Sequence, residues 1–168
     1  MKSFQTLNSK SIDTKRKKLI KRIGFLIVVL LVVYIIMVCI SVVKTNYIKT
    51  ITFSSSAYGV TINSTEIDLT NKTIHNANFH FNGTLQKEQT NALSVYDFNK
   101  LKATCILCCV PLWKKTYENS RIMDGDYWEI ELIDKDGKKK TTNGHEAYPV
   151  TYGFFLHELK TIQSQLDQ

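Results

Sequence analysis

The sequence predicts an α+β protein: an N-terminal transmembrane helix followed by a two-layer domain of antiparallel strands with two helices. Three observations carry this expectation. Residues Ile23 to Val43 are uncharged over 21 consecutive positions, and all but Gly24 and Ser41 are apolar or aromatic. Two pairs of β-like runs flank turn sequences, at 60–81 and 128–144, and such runs read as hairpins. Two further stretches, from Ser94 and from Pro149, repeat apolar residues at steps of three and four, the period of a helix with one buried face. Strands and helices in this order suit an antiparallel sheet carrying its helices on one face.

At about 1.5 Å per residue a helix over 23–43 spans roughly 30 Å, the thickness of a bilayer's hydrocarbon core. Its flanks are unequal. Lys2, Lys10, Lys15, Arg16, Lys17, Lys18, Lys21 and Arg22 precede it against one acid, Asp13, whereas only Lys44 and Lys49 follow closely. Basic flanks stay cytoplasmic, so 1–22 is expected as a basic cytoplasmic tail, 23–43 as the span, 44–50 as a linker and 51–168 as an extracytoplasmic domain at the plasma membrane. A cleaved signal peptide would have a shorter apolar region and a small-residue cleavage site. A lipid-modified Cys39 would want a small residue before it rather than Val38. The segment reads as a signal-anchor.

The formal charge of +7 invites a nucleic-acid reading, and its distribution removes it. Residues 1–22 alone carry a net +7, while 45–168 carry thirteen bases and fourteen acids. The basic tail suits topology and anionic headgroups, and the near-neutral outer domain has no electrostatic footprint for phosphate. Membrane lipid is therefore an expected partner and nucleic acid is not.

Within the outer domain, Ile51 to Gly59 reads as a first extended segment. Val60–Leu69 and Thr73–Phe81 form a hairpin around Thr70-Asn71-Lys72, because Asn tolerates left-handed turn positions. Ser94 followed by Asp97 resembles a capping box, and Phe98, Leu101, Cys105, Cys108 and Leu112 mark the buried face of the helix it opens. Pro111 should stop that helix near Cys109 or Val110. Trp128, Ile130 and Leu132 alternate with Glu129 and Glu131. Asp136-Gly137 then predicts a type I′ hairpin turn, which would set Asp134 opposite Lys139. Pro149 starts the last helix, with Tyr152, Phe155, Leu159, Ile162 and Leu166 buried and His157, Glu158, Lys160 and Gln163 wet.

No catalytic or metal constellation emerges. Cys105, Cys108 and Cys109 lie at helical spacing among apolar neighbours, which suits core packing better than a disulfide or a zinc site with two separated pairs. Asp134-Lys-Asp136-Gly137 opens like a calcium loop, but Lys139 and His145 stand where its sixth-place Gly and twelfth-place Glu should be. His145-Glu146 and His157-Glu158 lack the second histidine of a zinc-protease motif. The acid-rich segment Asp124–Glu131, with Asp126 and His145, would serve a membrane-tethered hydrolase only if those groups converged. No cofactor is implied. Asn63, Asn71 and Asn82 match glycosylation acceptors, although nineteen lysines against three arginines hint at an AT-rich, bacterial coding sequence. The aromatic residues Trp113, Tyr117, Tyr127, Trp128, Tyr148 and Tyr152 are the candidate interaction surface, since such rings supply both core area and recognition surface.

Trp113-x3-Tyr117, Ile122-Met-Asp124-Gly125-x2-Trp128, the Asp-Gly turn, Gly144-x3-Tyr148-Pro149 and the terminal amphipathic helix together form a pattern over residues 58–166. It resembles small membrane- or lipid-anchored extracytoplasmic domains of unknown function from Gram-positive-type bacteria. The resemblance implies a cell-surface protein and transfers no catalytic residues. The expected role is binding, with an envelope protein, a peptide or a glycan as partner.

Overall fold

The computed structural model describes residues 3–122 and 125–166, with the side chains of 3–15, 17 and 166 outside that description. Two compact units divide the chain, Met1–Cys39 and Ile40–Gln168. Helix α1, Ser3–Tyr47, runs through the boundary. An 18-residue window within its segment Lys18–Tyr47 reaches a mean hydropathy of 3.4, and the segment is long and apolar enough to cross a bilayer.

The second unit is α+β, as expected. After α1 come strands β1 (Ile48–Ala57), β2 (Val60–Asp68), β3 (Thr73–Phe79) and β4 (Leu85–Ala92) and helix α2 (Val95–Leu107). A 3₁₀ turn (Val110–Leu112), β5 (Thr116–Glu118), β6 (Asp126–Asp134), β7 (Lys139–His145) and helix α3 (Tyr152–Leu166) complete it. The strands form one sheet in the order β4-β3-β2-β1-β6-β7-β5. Neighbours are antiparallel except β5 and β7, which run parallel, so the sheet is mixed rather than purely antiparallel.

Register decides which side chains meet the helices, because side chains alternate between faces. Ile51 opposes Ile67 and Leu132, Phe53 opposes Thr65 and Ile130, and Ile67 opposes Ile74. All are buried, and with Leu101, Cys105, Phe155, Leu159 and Ile162 they form the core. The opposite face carries Thr52, Ser54, Glu66, His75, Glu129 and Glu131, none of them buried. That alternation is the mark of a sheet covered on one side.

Local chemistry explains most element ends. Ser94 caps α2, its hydroxyl accepting the Asp97 N–H at 3.0 Å. Ser94→Ala is expected to cost about 1 kcal/mol, measured as a lower urea midpoint for the detergent-solubilised chain. The helix stops before Pro111, which sits in the 3₁₀ turn behind a left-handed Cys109. Between β2 and β3, Lys72 rather than Asn71 occupies the left-handed region. The reason is Asp68, whose carboxylate accepts the N–H groups of Thr70 and Asn71 and the Asn71 amide. Burial alone would raise that carboxyl, but these donors prevail and hold it below its ordinary range.

Several expectations are corrected. The β6–β7 connection is not type I′: Gly137 alone is left-handed, its N–H reaching the Asp134 carbonyl at 3.0 Å, which is a type I turn closed by a glycine bulge. The extra residue moves the register by one, so Ile133 opposes Lys139 and Lys139 pairs with Glu131 instead of Asp134. Residues 44–50, expected as the linker, are the last turn of α1 and the start of β1. They are tied down by the Tyr47 carbonyl, which accepts the Lys135 N–H at 3.0 Å, and by the Tyr47 hydroxyl on Asp136. Glu158, expected in solvent, is 7% exposed and ion-paired to Lys100 of α2 at 2.8 Å. β4 and β5 had no counterpart among the expected strands.

Candidate functional site

The helix-covered face changes character along the strands. The row through Ile51, Ile67, Ile74 and Leu132 is apolar. Two residues further on, Phe53 and Ile130 share a row with Thr65, Asn76 and Gln89. Two further still, a single cross-strand row reads Lys87, Asn78, Asn63, Ser55, Trp128 and Gly144. Its four polar members are not core: Ser55 and Asn63 are half-buried, and Asn78 and Lys87 are exposed.

α3 turns this row into the floor of a cleft. It crosses above the middle row, where Gln163 Nε2 donates to Thr65 Oγ1 at 2.6 Å and to Asn76 Oδ1 at 3.0 Å. Gln163 therefore does not project into solvent as its helical position suggested. Tyr152, Leu156, Lys160 and Gln163 share one helix face by their spacing and form the wall. The cleft has a volume of about 580 Å³, and its lining includes five carboxamides (Asn63, Asn76, Asn78, Gln89, Gln163), two lysines (Lys87, Lys160) and one acid (Asp126). A bulge helps to shape it. Ser55 opposes Asn63 and Ser56 opposes Thr61, so Ile62 is the extra residue and both Ile62 and Asn63 line the cleft.

The far end is aromatic. Trp128 packs on Tyr152 at 4.7 Å between centroids and on Tyr148 at 6.2 Å. Its Nε1 donates to the Ala147 carbonyl at 3.0 Å. Burial, then the charges of Glu146 and Asp126, raise the Tyr148 phenol. Burial, then Tyr148 and Asp126, raise Tyr152 well above its ordinary value. Both hydroxyls stay protonated at neutral pH. Glu146, in a left-handed conformation, holds this end by accepting the Asp126 N–H at 2.8 Å.

Of the six aromatics expected as an interaction surface, the fold separates three kinds. Trp113 (6% exposed), Trp128 (3%) and Tyr152 are buried core residues. Trp113 is turned inward, its Nε1 donating to the Cys108 carbonyl at 2.9 Å, so it contributes packing instead of open surface. Tyr117 is half-buried against Trp128. Tyr148 (45%) and Tyr127 (44%) are exposed. Tyr127 lies flat on His145 at 4.1 Å, and the two rings border a shallow groove on the helix-free face with Glu129. Asp126 lines the cleft and His145 this other groove, so the acid and the histidine of the hydrolase alternative do not share a site. Asp124 lies outside the described residues.

The three cysteines of the α2 exit are buried and free. Burial pushes Cys105 up to about 12 and Cys108 up to about 11, and raises Cys109. Thiols so protonated are poor nucleophiles and poor metal ligands. Among the described residues no three His, Cys, Asp or Glu side chains are grouped to hold a metal ion.

Asn76, Asn78 and Gln89 escaped the sequence reading, and Asn63 entered it only as a glycosylation acceptor. The signal that marks them is parity: in Ile74-His-Asn76-Ala-Asn78 the asparagines continue the face begun by a buried isoleucine. No protein-family model matches the chain, and no curated protein matches it.

Proposed function

We propose that this is a single-pass membrane protein whose N-terminus is cytoplasmic and whose outer domain, held at the cell surface, binds an envelope partner in the cleft beneath α3. The carrying observation is the polar row Lys87-Asn78-Asn63-Ser55 on the helix-covered side of the sheet. Ser55 and Asn63 are half-buried and Asn78 and Lys87 are open to solvent, so the row presents accessible polar groups on a concave surface, which supports a role in recognition. Clefts with convergent polar groups and an aromatic end are the usual form of a binding site. The charge asymmetry about the span supports the orientation, the basic tail suits anionic lipid, and the resemblance to surface-anchored bacterial domains supports the same placement.

A photo-crosslinking side chain at position 78 of the full chain on intact cells is expected to yield a surface adduct. The same probe at position 131, on the helix-free face, is expected to yield none, and with the probe kept at 78, Asn63→Trp, which fills the adjacent part of the cleft, should block capture. An adduct at 131 alone, or none at 78, would remove the cleft as the site. Digestion of the outer domain by protease added to intact cells checks the orientation, and full protection would reverse it.

A further inference from the structure

The cleft has a length, a hydrogen-bonding character and a charge axis, and together they specify a ligand. Its floor crosses five strands, from β6 through β1, β2 and β3 to β4. Four interstrand steps make roughly 19 Å, which an extended chain covers in about six residues. Each floor carboxamide offers both a donor and an acceptor, the complement of a peptide backbone presenting N–H and C=O groups in turn. The charges are spread along it. Asp126 stands with Tyr148 and Tyr152 at the β6 end, Lys87 is on the edge strand β4, and Lys160 sits on α3 between them, one turn before the Gln163 that reaches β2 and β3. β4 is the sheet's edge, so a chain lying in the cleft can leave past it as part of a larger protein.

We infer that the cleft takes an extended acidic peptide segment laid across the strands, with its carboxylates at Lys87 and Lys160 and an aromatic or apolar side chain at Tyr148 and Tyr152. This rests on the cleft being the binding site proposed above, and adds the class of ligand. A neutral glycan fits the observations less well. A neutral sugar has no use for separated charges.

The test is selection of a phage-displayed random hexapeptide library on the full chain in nanodiscs, repeated on the double variant Lys87→Glu, Lys160→Glu and on Asn78→Trp. Both lysines are exposed, so the double variant should fold normally, and an unchanged unfolding midpoint confirms it. Selection on the native chain is expected to enrich Asp and Glu at one end of the hexapeptide and aromatic residues at the other. The double variant should weaken those peptides about tenfold or more and turn the enrichment toward Lys and Arg. Absence of enrichment, or acidic enrichment indifferent to the lysine reversal, overturns the inference. So does binding of chitotetraose, used as a glycan probe, that Asn78→Trp abolishes. A crosslink at position 78 alongside any of those results leaves the cleft's role standing and removes only the peptide class, whereas no adduct at 78 removes both.

Discussion

Gly144→Ala is expected to cost about 3 kcal/mol and to loosen the aromatic end of the cleft. Gly144 lies directly opposite Trp128 in the β6–β7 pairing, and the indole rests in the space a side chain would fill. A Cβ built there falls 2.3 Å from Trp128 Nε1 and 2.5 Å from the Ala147 carbonyl oxygen. Neither neighbour yields easily: the first is a rigid ring sealed in the core, the second is backbone. Overpacking of this kind costs about 1–3 kcal/mol, and breaking the indole's bond to Ala147 adds about 1–3 more. Urea unfolding of the detergent-solubilised chain gives the stability change, and a red shift of tryptophan emission reports the displaced ring. Gly153→Ala is the control, since nothing lies within 4 Å of its Cβ position on the exposed side of α3. Because Gly153 is the second residue of α3, where the interior propensity difference is not fully realised, the substitution should change stability by less than about 0.5 kcal/mol. A Gly144→Ala variant as stable as the native chain would mean that the indole does not lie across β7.

Phe155→Ala should be more damaging, by about 4 kcal/mol. Phe155 is 0% exposed and sits edge-on to Trp113 at 5.8 Å, at the point where α3, the α2 exit and the sheet meet. Truncation leaves a void beside Trp113, whose ring is already held by its hydrogen bond to the Cys108 carbonyl, so the site cannot readily collapse to fill it. Phe155→Leu, which keeps most of the volume, should cost less than about 1.5 kcal/mol. Both are read from the urea midpoint at constant slope. Equal losses for Ala and Leu would show that the effect lies outside core packing.

The residues that announced themselves in sequence are those whose partners are local. Ser94 caps its own helix, Phe98, Leu101 and Cys105 share a face by spacing alone, and Trp128, Ile130 and Leu132 alternate within one strand. β4 was illegible because Leu85–Ala92 is an edge strand whose two faces are both polar, leaving no period to find. β5 is three residues long and exists only because β7 pairs with it. Glu158 and Gln163 carry the marks of a wet helix face, yet Lys100 of α2 draws one inward and Thr65 and Asn76 of the sheet engage the other. The cleft was half visible: Trp128, Tyr148 and Tyr152 stood out as aromatics, whereas its amide floor is assembled by register from three separate strands. Register here depends on bulges at Ile62 and Gly137, and a bulge shifts every side chain beyond it.

The three thiols at the α2 exit make the domain a recorder of its own opening. Closed, Cys105, Cys108 and Cys109 are shielded and protonated, and a thiol-specific alkylating reagent should pass them by. Open, each reverts to an ordinary exposed cysteine and is captured irreversibly. The rate at which label accumulates at these three positions of the native full chain therefore counts excursions of α2 away from the sheet, without denaturant. Because α2 and α3 roof the same face of the sheet, that rate should fall when the cleft is occupied, which turns three inert side chains into an assay for ligands.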